Sequence, residues 1–284
     1  TEMKRKQFCQ LSPTAYRLAV ARCCAVRRIR DGVSGIPFAS RRQEELLPQV
    51  VYRHKSLIRR RLGNVDMDLQ ENKAINLALA APMVSNVLIR PGEVFSFWKL
   101  VGPPTVKRGF REGLTIANGQ TGRGTGGGMC QFTNLIHWMV LHSPLEVVER
   151  HHHDGLDLFP DYNRQIPFGT GTSISYHYVD YRFRNPTQDT FQLVVWTTEE
   201  YLCGELRAER RPEWTYHIRS EGEGFLQEAD GVYRVGRVYR DTIDSKTGDR
   251  VARELIQENR ARVLYDVKEI DPAKFITQGE KNKG

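Results

Sequence analysis

Gly124–Asn134 reads GTGGGMCQFTN. Three consecutive glycines run almost directly into a cysteine, and the chain then continues as CQFTNLIHWMVLH (Cys130–His142), apolar at helical spacing. A pliant loop feeding an apolar helix, with strand-like sequence on both sides, points to an α+β fold. In that fold an antiparallel sheet packs on a central cysteine-bearing helix. The junction also has chemical meaning. A thiol is nucleophilic only as the thiolate, and the start of a helix favours negative charge through unpaired N–H groups and the macrodipole. The pattern therefore predicts an ionised Cys130. Gly127 and Gly128, with no side chains, would let a substrate carbonyl approach and would offer N–H groups to an oxyanion, with Gln131 beside them. A buried, inert cysteine behind a merely flexible loop is the other reading.

A cysteine nucleophile needs a base. His137 lies seven residues along the same helix, about 10 Å away along the axis, and His142 lies farther. ERHHHDGLD (Glu149–Asp157) follows the next strand and is the better source. Alternation along a strand puts His151 and His153 on one face and His152 on the other. Asp154, Asp157 and Asp180 are carboxylates that could orient an imidazole, and Arg150 could hold a substrate carboxylate through its planar fork. Consecutive histidines cannot all face one ion from a regular strand, so no metal and no cofactor is expected.

Outward from this segment, Ser12-Pro13 opens a basic helix over residues 13–30. Residues 41–62 are charge-rich and weakly helical. ENKAINLALAAPMVSNVLI (Glu71–Ile89) reads as a helix with Asn72 as N-cap, kinked or split at Pro82. Val94–Trp98 is strand-like. TSISYHYVDYRFRN (Thr172–Asn185), TFQLVVWTT (Thr190–Thr198) and LCGELRAER (Leu202–Arg210) alternate with period two and predict antiparallel strands. Composition shifts near Arg210-Arg211-Pro212, and a hairpin with its tip at Lys246–Asp249 follows. The organisation expected is an N-terminal helical extension (1–70), a core domain (71–211), a small β-rich appendage (212–272) and an unstructured tail (273–284).

The 284 residues carry 42 Lys and Arg against 34 Asp and Glu, a net charge of +8, with 39% hydrophobic residues. That is enough apolar sequence for a true core. The basic balance suggests an anionic partner or a solvated basic surface. No helix-turn-helix or RNA-binding motif is present, so no nucleic-acid partner is expected. The five cysteines are irregularly spaced and contain no CxxC pair, which argues against a zinc site or a disulfide framework. No transmembrane segment is evident, because the longest apolar run is broken by Pro82, Ser85 and Asn86. No signal-peptide core is visible, which suggests a cytoplasmic chain.

RPGEVFSFWKLVG (Arg90–Gly102), GLTIANGQ (Gly113–Gln120), GGGMCQFTN (Gly126–Asn134), VVERHHH (Val147–His153) and ISYHYVDYRFRN (Ile174–Asn185) together, and in this order, resemble the VanW family. The resemblance covers about half the chain. It implies a cell-wall setting, with a peptidoglycan stem peptide or precursor as partner. It also implies chemistry of the L,D-transpeptidase kind, in which Cys130 forms a thioester and expels a terminal D-alanine. The family's R-x-x-H pattern falls on Arg150 and His153, making His153 the preferred base and His151 the next. Gly171 stands where many members carry an Asp, and Asp180 matches within YVDYRFRN. A non-catalytic module that binds wall precursors, accessory to glycopeptide resistance, is the alternative. The acyl acceptor, the compartment and the oligomeric state stay open.

Overall fold

Ser12 accepts a hydrogen bond from the amide of Ala15 (3.1 Å), and Pro13 occupies the first helical position, so α1 (Pro13–Val33) begins where its cap and its proline dictate. A computed structural model describes residues 12–59, 67–117, 120–152, 155–160 and 166–276. After α1 the chain forms β1 (Gln49–Leu57), α2 (Met67–Val84), β2 (Val87–Ile89), β3 (Val94–Ser96) and the short α3 (Phe97–Val101). The hairpin β4 (Glu112–Ala117) and β5 (Gln120–Thr125) leads into α4 (Met129–Leu141), then β6 (Glu146–Glu149) and β7 (Leu156–Asp157). The chain returns through β8 (Arg182–Arg184), β9 (Phe191–Thr197) and β10 (Tyr201–Ala208). It ends in three long strands, β11 (Trp214–Glu228), β12 (Gly231–Asp244) and β13 (Arg250–Val263).

The fold is α+β, with helices and antiparallel sheets. One sheet has the order β1-β10-β9-β2 and a second the order β3-β8-β6. The apolar alternation of β10 turns Leu202, Leu206 and Ala208 inward, against Leu77, Ala80, Phe132 and Leu135 of the two long core helices. Gly204 of β10 lies where α4 passes closest: a Cβ there would stand 2.7–3.1 Å from Met139 and Leu135 side-chain atoms. The third sheet, β11-β12-β13-β7, has a much smaller cluster around Phe225, Val232, Val263 and Ile270.

Three segments differ from expectation. Residues 41–62 carry a strand, not weak helix: β1 pairs with β10 from Gln49↔Ala208 to Leu57↔Tyr201. Its charged residues are accommodated because an edge strand leaves one face wet, and Arg53 pairs with Glu205 across the ladder at 2.7 Å. The helix expected from Glu71 begins at Met67 and runs past Pro82, which falls in the last turn. Asn72 is internal to it and donates to the Glu112 carbonyl (2.9 Å) instead of capping. Thr172–Asn185 is mostly irregular, with an isolated Ser175–Val179 bridge and only Arg182–Arg184 as strand.

Candidate active site

The glycines before α4 are there for packing. A Cβ on Gly127 would lie 2.2 Å from the Gly113 carbonyl carbon, and one on Gly128 would lie 2.2 Å from Cγ of buried Lys73. Gly128 is also the N-cap of α4 and sits at φ 95°, in the left-handed region. The loop is pinned from below by Asn76. Its amide donates to the carbonyls of Gly127 and Arg111 (both 3.0 Å), and its oxygen accepts from the Arg111 N–H (2.8 Å). The Gly127 N–H is directed to the Gly124 carbonyl (3.1 Å).

Cys130 emerges from this clamp in the first turn of α4, half-buried. Its thiol differs from the sequence-based expectation. Burial pushes its pKa up, against main-chain hydrogen bonds from Ile174 and from Cys130 itself that favour the thiolate. Desolvation outweighs these two bonds, so the resting sulfur is a thiol. Gln131 points elsewhere, donating to Ser56 Oγ (2.9 Å) and to the Leu57 carbonyl (2.8 Å), and so ties α4 to β1.

A strap over residues 171–174 runs along the first turns of α4. Asn134, one turn beyond Cys130, accepts from the Thr172 amide (2.6 Å) and hydroxyl (2.8 Å), and Thr133 and Thr172 hydroxyls meet at 2.6 Å. On its other side the strap's Ser173 N–H donates to the His151 carbonyl (2.7 Å). This double attachment draws the histidine run toward the cysteine end of α4. The His152 side chain lies against this strap. A Cβ on Gly171 would lie 3.7 Å from both Cδ2 and Nε2 of His152 and 3.8 Å from Asn134 Oδ1. Strand alternation had set His152 apart from its neighbours. β6 itself ends at Glu149, before the histidines.

His151 is exposed and bonded through Nε2 to Glu149 (3.1 Å). His153 and Asp154 lie outside the described residues. Arg150 contacts His137 Nε2 (3.3 Å), the Gly169 carbonyl (3.0 Å) and Gln257 of β13 (2.8 Å). Because a guanidinium only donates, His137 accepts at Nε2, and its Nδ1–H is left to donate to the Tyr181 hydroxyl (3.1 Å). Burial, with Arg150 and His152 nearby, holds the His137 pKa well below the ordinary histidine value, so this imidazole is a neutral structural group. His142 stacks on Tyr52 at 3.9 Å and donates to the Trp138 carbonyl (2.8 Å).

Among the described residues, Asp180 hydrogen-bonds to no histidine. Its carboxylate is saturated by Ser96 Oγ (2.6 Å), the Trp98 amide (3.1 Å), the Tyr181 amide (2.9 Å) and Arg182 Nε (2.8 Å). Arg182 in turn clasps Asp31 of α1 with both terminal nitrogens (2.8 and 2.7 Å). Nothing in the sequence pattern singled out Glu149. It accepts two bonds from Arg27 (both 2.7 Å) and one each from His151 and the Asp180 amide. Only its neighbours in space, more than a hundred residues away on one side, reveal that role.

A polar cleft of about 850 Å³ opens beside His152, lined also by Arg150, His151 and, from β12 and β13, Arg240, Glu254 and Gln257. Cys130 is not among the described residues lining it. No group of three or more His, Cys, Asp or Glu suited to a metal occurs among the described residues. No described helix is long and apolar enough to cross a membrane.

The family model for VanW like protein matches residues 72–207, spanning the glycine loop, α4 and the strap. Vancomycin B-type resistance protein VanW of Enterococcus faecalis (strain ATCC 700802 / V583) is 32% identical over 269 residues, 94% of this chain and 97% of the relative. The uncharacterized protein YoaR of Bacillus subtilis (strain 168) is 29% identical over 118 residues, 40% of this chain and 36% of that protein. No solved structure matches. Near full-length similarity to one relative, together with the domain match centred on the cysteine loop, means that the chain belongs to the VanW family.

Proposed function

We propose that the chain is a cysteine-dependent acyltransferase acting on the stem peptide of a cell-wall precursor, with a role in glycopeptide resistance as the name of its enterococcal relative suggests. The observation that carries this reading is the strap. Its Ile174 brings a main-chain hydrogen bond onto the Cys130 sulfur, which Cys130's own backbone also bonds, and its Gly171 has His152 and Asn134 Oδ1 each within 4 Å of where a Cβ would stand, Asn134 being about 6 Å along the helix axis from Cys130. At rest the thiol keeps its proton. On substrate binding the His152 imidazole takes that proton, the sulfur attacks the amide carbonyl carbon, and a tetrahedral oxyanion forms. The carbon–nitrogen bond then breaks, and the imidazolium returns the proton to the departing amine, a terminal D-alanine in this reading. A thioester remains, and an amine or water resolves it. His153 and His151 are the other imidazoles of the same run.

A second reading is supported by the raised thiol pKa, the engagement of Arg150 with the scaffold and a cleft whose described lining omits Cys130. In it the same surface binds wall precursors without chemistry. Intact mass spectrometry separates the two. The wild type incubated with a stem tetrapeptide gains the mass of the peptide less D-alanine, and Cys130→Ala does not. If both proteins bind the tetrapeptide equally and neither gains mass, the chain is a binding module.

A further inference from the structure

The amphipathic character of α1 is inverted. At about 100° per residue, Cys24, Arg27 and Asp31 share one face of the helix. That face meets the protein: Arg27 binds Glu149 and the Tyr178 carbonyl (2.7 Å), Asp31 is clasped by Arg182, and the Cys24 sulfur accepts from the His177 amide (3.4 Å). Leu18, Val26, Ile29 and Val33 lie on the opposite face and are 59%, 55%, 65% and 79% exposed. The helix thus anchors through charge and offers its aliphatic stripe to solvent, the reverse of what burial alone would select. Arg17, Arg22, Arg28 and Arg30 are also exposed, with Arg22 within the stripe and Arg30 at its border.

We infer that α1 docks on the surface of an anionic lipid bilayer, lying in the interface without crossing it. An aliphatic stripe with one arginine inside it and another at its border, on a helix held to a folded body, matches what an interfacial helix requires. The apolar side chains enter the acyl boundary and the guanidinium groups meet phosphate headgroups. Charge complementarity selects this occupant, since the exposed ionic groups at the stripe are cationic and the acidic residue of the helix, Asp31, is turned inward and paired. The inference is independent of the chemistry at Cys130.

Vesicle co-sedimentation of the full chain tests it. With vesicles of phosphatidylcholine and about one-third phosphatidylglycerol, the wild type should sediment. With phosphatidylcholine alone it should stay largely in the supernatant, and raising salt to about 0.5 M should weaken the anionic binding. The doubly substituted Val26→Asp, Ile29→Asp chain should partition at least about tenfold less, because two aliphatic insertions are lost. Both side chains are exposed, so its melting temperature should match the wild type, which excludes misfolding as the cause. Arg22→Gln with Arg30→Gln should lower binding to anionic vesicles only. Cys130→Ala should bind as the wild type does. Wild-type protein left in the supernatant with anionic vesicles would overturn the proposal, as would equal binding by the aspartate variant. A concentration-dependent dimer, abolished by the aspartate variant and unaccompanied by vesicle binding, would give the stripe to a second copy and also overturn it.

Discussion

Helices α1 and α4 are held by opposite means. Ten of the residues in α4 are buried, and apolar packing fixes it on almost every side. Only Ala15 and Asp31 of α1 are buried, and the helix is fastened by two carboxylate–guanidinium pairs reaching into the core. An apolar helix is positioned by volume and shape, which tolerate little displacement of the sulfur it carries. A helix pinned by a few buried charges depends mainly on those charges. Any chemistry at Cys130 and any docking through α1 therefore fail through different residues.

Arg182→Ala should have the largest effect. It strands Asp31 and Asp180 in the interior without their partner, and breaking such a pair costs about 3–5 kcal/mol. Although burial alone would raise it, the Asp31 pKa is lowered by Arg182, Lys99 and Arg27. Denaturant unfolding should show the loss, and amide exchange should show α1 deprotected before α4. Simultaneous deprotection of both helices would mean that α1 is not separately fastened.

The end of α4 gives the next effect. Burial lowers the His142 pKa to about 4 from 6.5, opposed by its bond to the Trp138 carbonyl and aided by His217 and His54. Above pH 6.5 the imidazole is neutral whether folded or unfolded. Between 6.5 and about 4 the unfolded chain takes up a proton that the folded one refuses, so stability falls as pH falls, by about 3 kcal/mol in all. His142→Gln should remove that part of the slope in urea titrations at stepped pH.

At the other end of α4, Gly127→Ala forces a methyl against the Gly113 backbone and should cost about 1–3 kcal/mol. Wild-type stability in that variant would mean the glycine loop is loose, contrary to the packing found. Smallest is Ser12→Ala, which removes the N-cap of α1 and should cost about 1 kcal/mol, seen as fraying of the first turn in exchange measurements.

The same contrast explains what could be read from sequence. Elements set by local signals were legible: the Ser12-Pro13 start of α1, the glycine-to-helix junction at α4, and the period-two runs of β9 and β10. β1 was not, since its charges suit an exposed edge and only pairing with β10, some 150 residues later, makes it a strand. β11, polar along much of its length, becomes strand by pairing with β12. At the candidate site the cysteine and its glycines stood out. The contact of His152 with Gly171 did not, because the strap at 171–174 reaches it from about twenty residues later in the chain. The resting state of the thiol was hidden for a related reason: position on the helix is local, whereas the burial that raises its pKa is tertiary.

The most direct test of the central claim is the single-turnover rate of thioester formation at Cys130 with a stem tetrapeptide, in wild type, His152→Gln, His153→Gln and His151→Gln. A positioned general base contributes about 10²–10⁴-fold, so His152→Gln should slow acylation by that factor while His151→Gln and His153→Gln stay near the wild-type rate. Wild-type acylation in His152→Gln, or no thioester in any of the four proteins, would contradict the account.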